Sequence, residues 1–187
     1  MPIGSRLRSL DQRLLLLART RAHSPEAERA VARFSALGEH GGIWLAIGLA
    51  GGRLDHRRRS EWQAATRAVA GAYALNTAIK PLVGRRRPEL PGLPALTSTP
   101  TGLSFPSAHA ATSFAGAVAY SRLGLPRAPL YLLAAALSFS RVYLGVHHPS
   151  DVLAGALLGS GLALRVTRRL VGRTDLHAAP ADLDRRA

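Results

Sequence analysis

The chain has 187 residues, a formal charge of +14 and no cysteine, which is the length of one domain and excludes disulfides and thiolate metal sites. Four Phe, four Tyr and two Trp are too few to stack bases, and the arginines are spread between apolar blocks, so the charge points to a membrane surface and not to nucleic acid. Among 25 basic residues Lys80 is the sole lysine, which marks a position where a compact ammonium is wanted in place of a planar fork.

Residues 1–33, containing SRLRSLDQRLLLLARTRAHSPEAERAVARF, read as an amphipathic segment that lies in the membrane interface or packs on the body of the protein. Its LLLLA run is too brief, and too soon followed by arginine, for a cleaved signal peptide. Ser24, Pro25 and Glu28 form a helix start behind it.

Five apolar blocks follow, at 34–52, 68–84, 103–125, 128–147 and 152–164. A bilayer crossing takes about 20 mostly apolar residues, and several blocks approach that length once a few polar positions are included. The expected fold is all-α: an integral membrane helical bundle of about five to six membrane helices over 34–170, preceded by the N-terminal segment. A polar C-terminal tail, 171–187, is expected to be disordered. A soluble bundle with the same blocks as core helices is the alternative. Small residues, as in GALLGSGLAL and AATSFAGAVA, permit close helix approach.

The polar intrusions are ordered. Asn76 and Lys80 close the second block, Ser107 and His109 open the third, Arg141 and His147 close the fourth and Asp151 opens the fifth. Helices running alternately up and down would gather all of these at one end, and ionisable groups in apolar segments mark a functional site by default. Lys80, Arg87 and Arg141 call for an anionic guest, and arginine forks match phosphate oxygens. The peptide N–H groups at Ser107, Ala108 and His109, where a helix begins, favour anions too. His147 lies four residues before Asp151, so the carboxylate can hold one ring nitrogen while the other attacks phosphorus. His109 is placed to protonate the departing oxygen. His23, His40, His56 and His177 read as ordinary surface or interface residues, Asn76 as a bond between helices and Tyr143 as packing.

Three segments carry a family resemblance: Lys80 to Pro88, Pro106 to His109, and Ser140 to Asp151. Their spacing resembles the signature K-x6-RP, PSGH and SR-x5-H-x3-D of the type 2 phosphatidic acid phosphatase superfamily, and the chain looks like its short, arginine- and alanine-rich actinobacterial members. The resemblance implies a helical membrane phosphatase that cleaves lipid phosphates or diphosphates through a phosphohistidine, with no metal and no cofactor. It makes His147 the nucleophile, Asp151 its orienting partner and His109 the general acid. Lys80, Arg87, Ser107, Ala108 and Arg141 become the phosphate-binding set. His148, beside Pro149, is left as a residue at the start of a helix or facing headgroups, and Arg85 and Arg86 as solvated or reaching headgroups. Ala108 stands where the family has Gly, so a positive φ is not used there or the methyl crowds the site.

The implied partners are a lipid phosphate substrate and the bilayer, with phosphatidate, phosphatidylglycerol phosphate, undecaprenyl diphosphate and a polyprenyl-linked cell-wall precursor such as decaprenylphosphoryl-phosphoribose all chemically suitable. Acid phosphatases and vanadate-dependent haloperoxidases share the signature and remain an alternative, as does a non-catalytic lipid-binding protein. Arginines 53, 57, 58, 59, 122, 127, 165, 168, 169 and 173 sit at the other end of the blocks, which places that end in the cytoplasm and the site outside it.

Overall fold

The computed structural model describes residues 3–177. Seven α-helices follow one another: α1 (Ile3–Thr20), α2 (Pro25–Ala36), α3 (Gly42–Leu54), α4 (Arg59–Val83), α5 (Ala108–Ser121), α6 (Arg127–Tyr143) and α7 (Pro149–His177). Helices α3 to α7 correspond to the five apolar blocks. Between α4 and α5 a long irregular segment crosses the end of the bundle, with two isolated bridges, Arg86 to Leu103 and Leu90 to Leu93. No strand is formed among the described residues.

Local chemistry sets the helix ends. The Ser24 hydroxyl accepts from Ala27 N–H and Pro25 follows in the first turn, which starts α2 as expected. Gly84, at φ 66°, ends α4 in the left-handed region where a side chain is costly. Ser107 caps α5.

Helix α5 is the centre of the bundle, packed by α3, α4, α6 and α7 and buried from His109 to Tyr120 except at Phe114. Its neighbours come close because small residues let them. A Cβ at Gly159 would collide with the carbonyl of Ala111, and one at Gly155 with the carbonyl of Ser107. On the other flank Gly116 makes room for Trp44, whose indole donates to Ser113 Oγ at 3.0 Å while Tyr120 donates to the Trp44 carbonyl at 2.7 Å.

The N-terminal segment is docked on this body. Arg19 is buried and donates to the carbonyls of Tyr143 (3.3 Å) and Pro94 (2.7 Å). Tyr143 donates to the Ala22 carbonyl at 3.0 Å and stacks on the His23 ring at 4.1 Å.

No described helix is long and apolar enough to cross a membrane. Helices α3, α5 and α6 have 13, 14 and 17 residues, short of the roughly 30 Å hydrocarbon core at about 1.5 Å per residue. The 25 residues of α4 and the 29 of α7 are interrupted by arginine. Helix α7 also runs past the boundary expected at 170; the rest of the expected tail, 178–187, lies outside the described residues.

The close approach can be tested by one substitution at two glycines of α7. Gly159→Ala should destabilise by about 1–3 kcal/mol, the cost of overpacking. Gly161→Ala, whose added methyl meets nothing within 4 Å, should be neutral or stabilise by about 0.4–1 kcal/mol. Thermal unfolding of the detergent-purified protein measures both, and equal shifts would contradict the packing.

Candidate active site

The alternation of α4 to α7 brings the C-termini of α4 and α6 beside the N-termini of α5 and α7, as the order of polar residues requires. There a cavity of about 100 Å³ is lined by Lys80, Arg87, Ala108, His109, Arg141 and His147, with Glu39, His40, Tyr73, Thr77, Pro100 and Thr101 at its sides. Six of the eight residues chosen from sequence therefore face it. Ser107 and Asp151 stand one layer behind, both fully buried. The volume is below the roughly 300–1,000 Å³ of pockets that enclose a whole ligand, so it suits a phosphoryl group whose attached alcohol stays outside.

Three cations converge here, and Glu39, the carboxylate at the side of the cavity, forms an ion pair with none of them. Lys80 Nζ is held by backbone carbonyls, at 2.9 Å from Pro106 O and 3.4 Å from Leu103 O and Ser104 O. Arg87 is fixed by the carbonyls of Thr101 and Val146, both at 2.8 Å. Arg141 donates to Ser35 Oγ at 2.7 Å, and its Nε has no partner. Among the described residues none of the three lies within 4.0 Å of an acidic side chain. Burial accordingly lowers the Arg87 pKa from its ordinary value, with Asp151 and Glu39 offsetting this only in part.

The two adjacent histidines are separated by what they face. His147, 3% exposed, lies in the turn between α6 and α7, and its Nε2 is 3.2 Å from Arg87 Nη1. Arginine can only donate, so Nε2 carries the lone pair and Nδ1 the hydrogen. Burial, reinforced by the Arg87 charge and opposed by Asp151, lowers the His147 pKa to about 4, which keeps the ring neutral at pH 7. Its Nδ1 points toward Asp151 Oδ2 at 3.6 Å, longer than a formed hydrogen bond, and has no other partner. His148 is nearer that oxygen: its N–H donates at 2.8 Å and its Nδ1 is at 3.3 Å. It does not line the cavity. His148 is thus the nearer to the carboxylate, and His147 is the one with access to the cavity.

His109 rests its Nε2 at 3.0 Å from the Ser35 carbonyl, which can only accept, so that nitrogen carries hydrogen. Gly38 makes the position possible, since a Cβ there would meet the ring at 2.8 Å. Ser107 spends its hydroxyl on the α5 cap and its N–H on the Asp151 carbonyl at 2.9 Å, so it fixes α5 against α7. Ala108 is the first residue of α5, and the described non-glycine residues with positive φ are Ala22 and His40. The alanine therefore occupies an ordinary helical position.

Several residues had no sequence signal that marked them. His40, read as a surface residue, borders the cavity and places Nδ1 2.7 Å from Tyr73 Oη. Ser35 holds both Arg141 and His109 from α2, yet in sequence it is one serine in an apolar block. Arg85, read as solvated or reaching headgroups, is part-buried and paired with Asp151 and Asp11 at 2.8 Å each. Asn76 is fully buried, and its side-chain amide finds no partner, against the expected bond between helices.

Residues 64–175 match the PAP2 superfamily. The chain belongs to that family. It is 44% identical over 127 residues to the decaprenylphosphoryl-5-phosphoribose phosphatase of Mycobacterium tuberculosis, covering 67% of this chain and 71% of that protein. In structure it is similar to Aquifex aeolicus LpxE, with a TM-score of 0.71 and 28% identity over 85% of this chain and 95% of that one. It also shares the fold of the first transmembrane PAP2 type phosphatidylglycerolphosphate phosphatase of Bacillus subtilis, at a TM-score of 0.73 and 22% identity over 94% and 89% of the two chains.

Unneutralised cations around a small cavity should bind inorganic phosphate or tungstate. Either anion should raise the melting temperature by linkage, and Arg141→Gln should abolish the shift. A wild-type protein indifferent to both anions would mean that the cations are solvated and the cavity is not an oxyanion site.

Proposed function

We propose that the chain, a lipid phosphate phosphatase of the PAP2 superfamily, removes phosphate from a polyprenyl-linked sugar phosphate of the decaprenylphosphoryl-5-phosphoribose type. The mycobacterial relative named for that substrate supports the choice. The observation that carries the mechanism is the His147 imidazole, neutral and buried, with its Nε2 lone pair turned to the cavity-lining Arg87 and a carboxylate behind its Nδ1.

His147 Nε2 attacks phosphorus as the phosphorus–oxygen bond to the alcohol breaks, and the ring becomes a phosphohistidine. His109, held as an imidazolium by the negative charge of the bound phosphate, gives a proton to the departing oxygen and becomes neutral. Asp151, 3.6 Å behind Nδ1, closes on that nitrogen as the ring becomes charged and stabilises the positive charge, the part an aspartate plays behind a catalytic histidine elsewhere. Water then attacks the phosphohistidine, giving its proton back to His109, and phosphate leaves with His147 restored. Lys80, Arg87, Arg141 and the first amides of α5 take the charge on the phosphoryl oxygens throughout. No step calls for a metal.

The chain is further proposed to be an integral membrane protein. Leu132, Leu153 and Leu157 stand 70%, 62% and 66% exposed on α6 and α7, an outward apolar surface that water would not favour and lipid would. The fold it shares with a transmembrane protein is consistent with this. The short α5 is shielded from lipid by its neighbours, and shorter outer helices are met by bilayer thinning and snorkelling arginines. The arginine-rich end opposite the site then faces the cytoplasm, with the site on the other side.

Purified protein in detergent should release phosphate from the lipid-linked sugar phosphate equally well with and without chelator. His147→Ala should abolish turnover and His148→Ala should leave much of it; equal losses, or strict dependence on a divalent metal, would overturn the mechanism. Reporter fusions at the C-terminus should score as cytoplasmic, and an external signal would reverse the proposed orientation.

A further inference from the structure

Helix α1 lies outside the residues that match the family, yet through Arg85 it is linked to the carboxylate behind His147. Its Asp11 is 6% exposed in an otherwise leucine- and arginine-rich helix. One Asp11 oxygen accepts the Ser150 N–H at 2.9 Å; the other accepts from the Ser150 hydroxyl and from Arg85 Nη2, the latter at 2.8 Å. The second arm of the same guanidinium donates to Asp151 Oδ1 at 2.8 Å and to Ser150 Oγ at 2.7 Å. Arg85 thus bridges two carboxylates, one on α1 and one on α7.

This arrangement excludes the ordinary uses of a basic residue beside a phosphatase site. With both Nη atoms held by carboxylates and Ser150, Arg85 is not free to bind substrate phosphate, and it does not line the cavity. It acts on Asp151. The Asp151 side chain is fully buried and bonded at both oxygens, by Arg85 on Oδ1 and by His148 N–H on Oδ2, so it cannot rotate and Oδ2 stays turned toward the His147 ring. An arginine alone would also cancel much of the carboxylate's charge. Asp11 shares that arginine, which leaves Asp151 more of its negative potential to stabilise the imidazolium.

We propose that Asp11 and Arg85 are positioning residues that fix the Asp151 carboxylate behind His147, so that helix α1 is part of the catalytic apparatus and not only an interfacial anchor. The proposal rests on the reading of His147 as nucleophile and Asp151 as its partner.

The test uses the full chain in detergent with radiolabelled lipid-linked sugar phosphate, and each variant is checked for elution volume and melting temperature. Arg85→Ala should lower kcat by about 10–100-fold, the usual cost of losing a group that orients a reacting one, with KM within about twofold because the phosphate-binding cations are untouched. Asp11→Asn should lower kcat in the same direction by less, and Arg85→Lys should recover part of the loss. On an Asp151→Ala background Arg85→Ala should cost almost nothing further, since residues acting through one another are not additive. Wild-type kcat in Arg85→Ala, a loss confined to KM, or a full extra loss on Asp151→Ala would overturn the brace. Should Arg85→Ala fail to fold, Asp11→Asn is judged by the same three criteria. Unchanged turnover in Asp151→Ala would instead sink the catalytic reading and the brace with it, whereas loss there with none in Arg85→Ala sinks the brace alone.

Discussion

The close contact of α5 with α7 is the constraint on which the site depends. Gly155 and Gly159 admit the backbone of α5 at Ser107 and Ala111, and at that spacing the Ser107 N–H reaches the Asp151 carbonyl. The start of one helix is thereby locked to the start of the other. The anion-attracting amides of α5, the histidine turn before α7 and the carboxylate inside it come into register through that contact, while α4 and α6 deliver their cations from the opposite direction.

Charge is then sorted into two layers. Lys80, Arg87 and Arg141 face the cavity with carbonyls and a serine as their fixed partners, so their charge is desolvated but not spent. Asp151 and Asp11 lie behind the histidine, joined by Arg85. Glu39 is the carboxylate at the cavity itself, and it pairs with none of the three cations. The two carboxylates of the second layer act on the imidazole and leave the cavity positive. Burial supports this division, because a buried arginine without a carboxylate favours an anionic guest and a buried histidine beside an arginine stays neutral.

Helices α1 and α2 complete what the bundle leaves open. Ser35 joins Arg141 and His109, one a cation and the other the proposed acid, through its hydroxyl and its carbonyl. Arg19 seals the turn at Gly145, whose φ of 75° and lack of a side chain admit the guanidinium. A segment whose composition suggests only an amphipathic surface helix is thus tied by polar contacts to the site end of the bundle.

The sequence by itself determined the helical class, the five central helices and, among the eight site residues it singled out, six that face the cavity, because apolar blocks and fixed spacings along one helix or turn are local properties. The spacing from Arg141 to His147 to Asp151 singles out His147, which lines the cavity, and not His148, which does not. Tertiary structure alone decided the rest. That Arg85 turns to Asp151 and Asp11 depends on a turn that the adjacent arginines do not encode. Ser35, Asp11 and His40 acquire their partners across 106, 139 and 33 positions of chain, and no local pattern specifies a contact at that range. Nor did spacing reveal that Asp151 is bonded more closely to His148 than to His147, since that follows from which side of α7 the cavity opens, and this is set by how α5 and α7 pack.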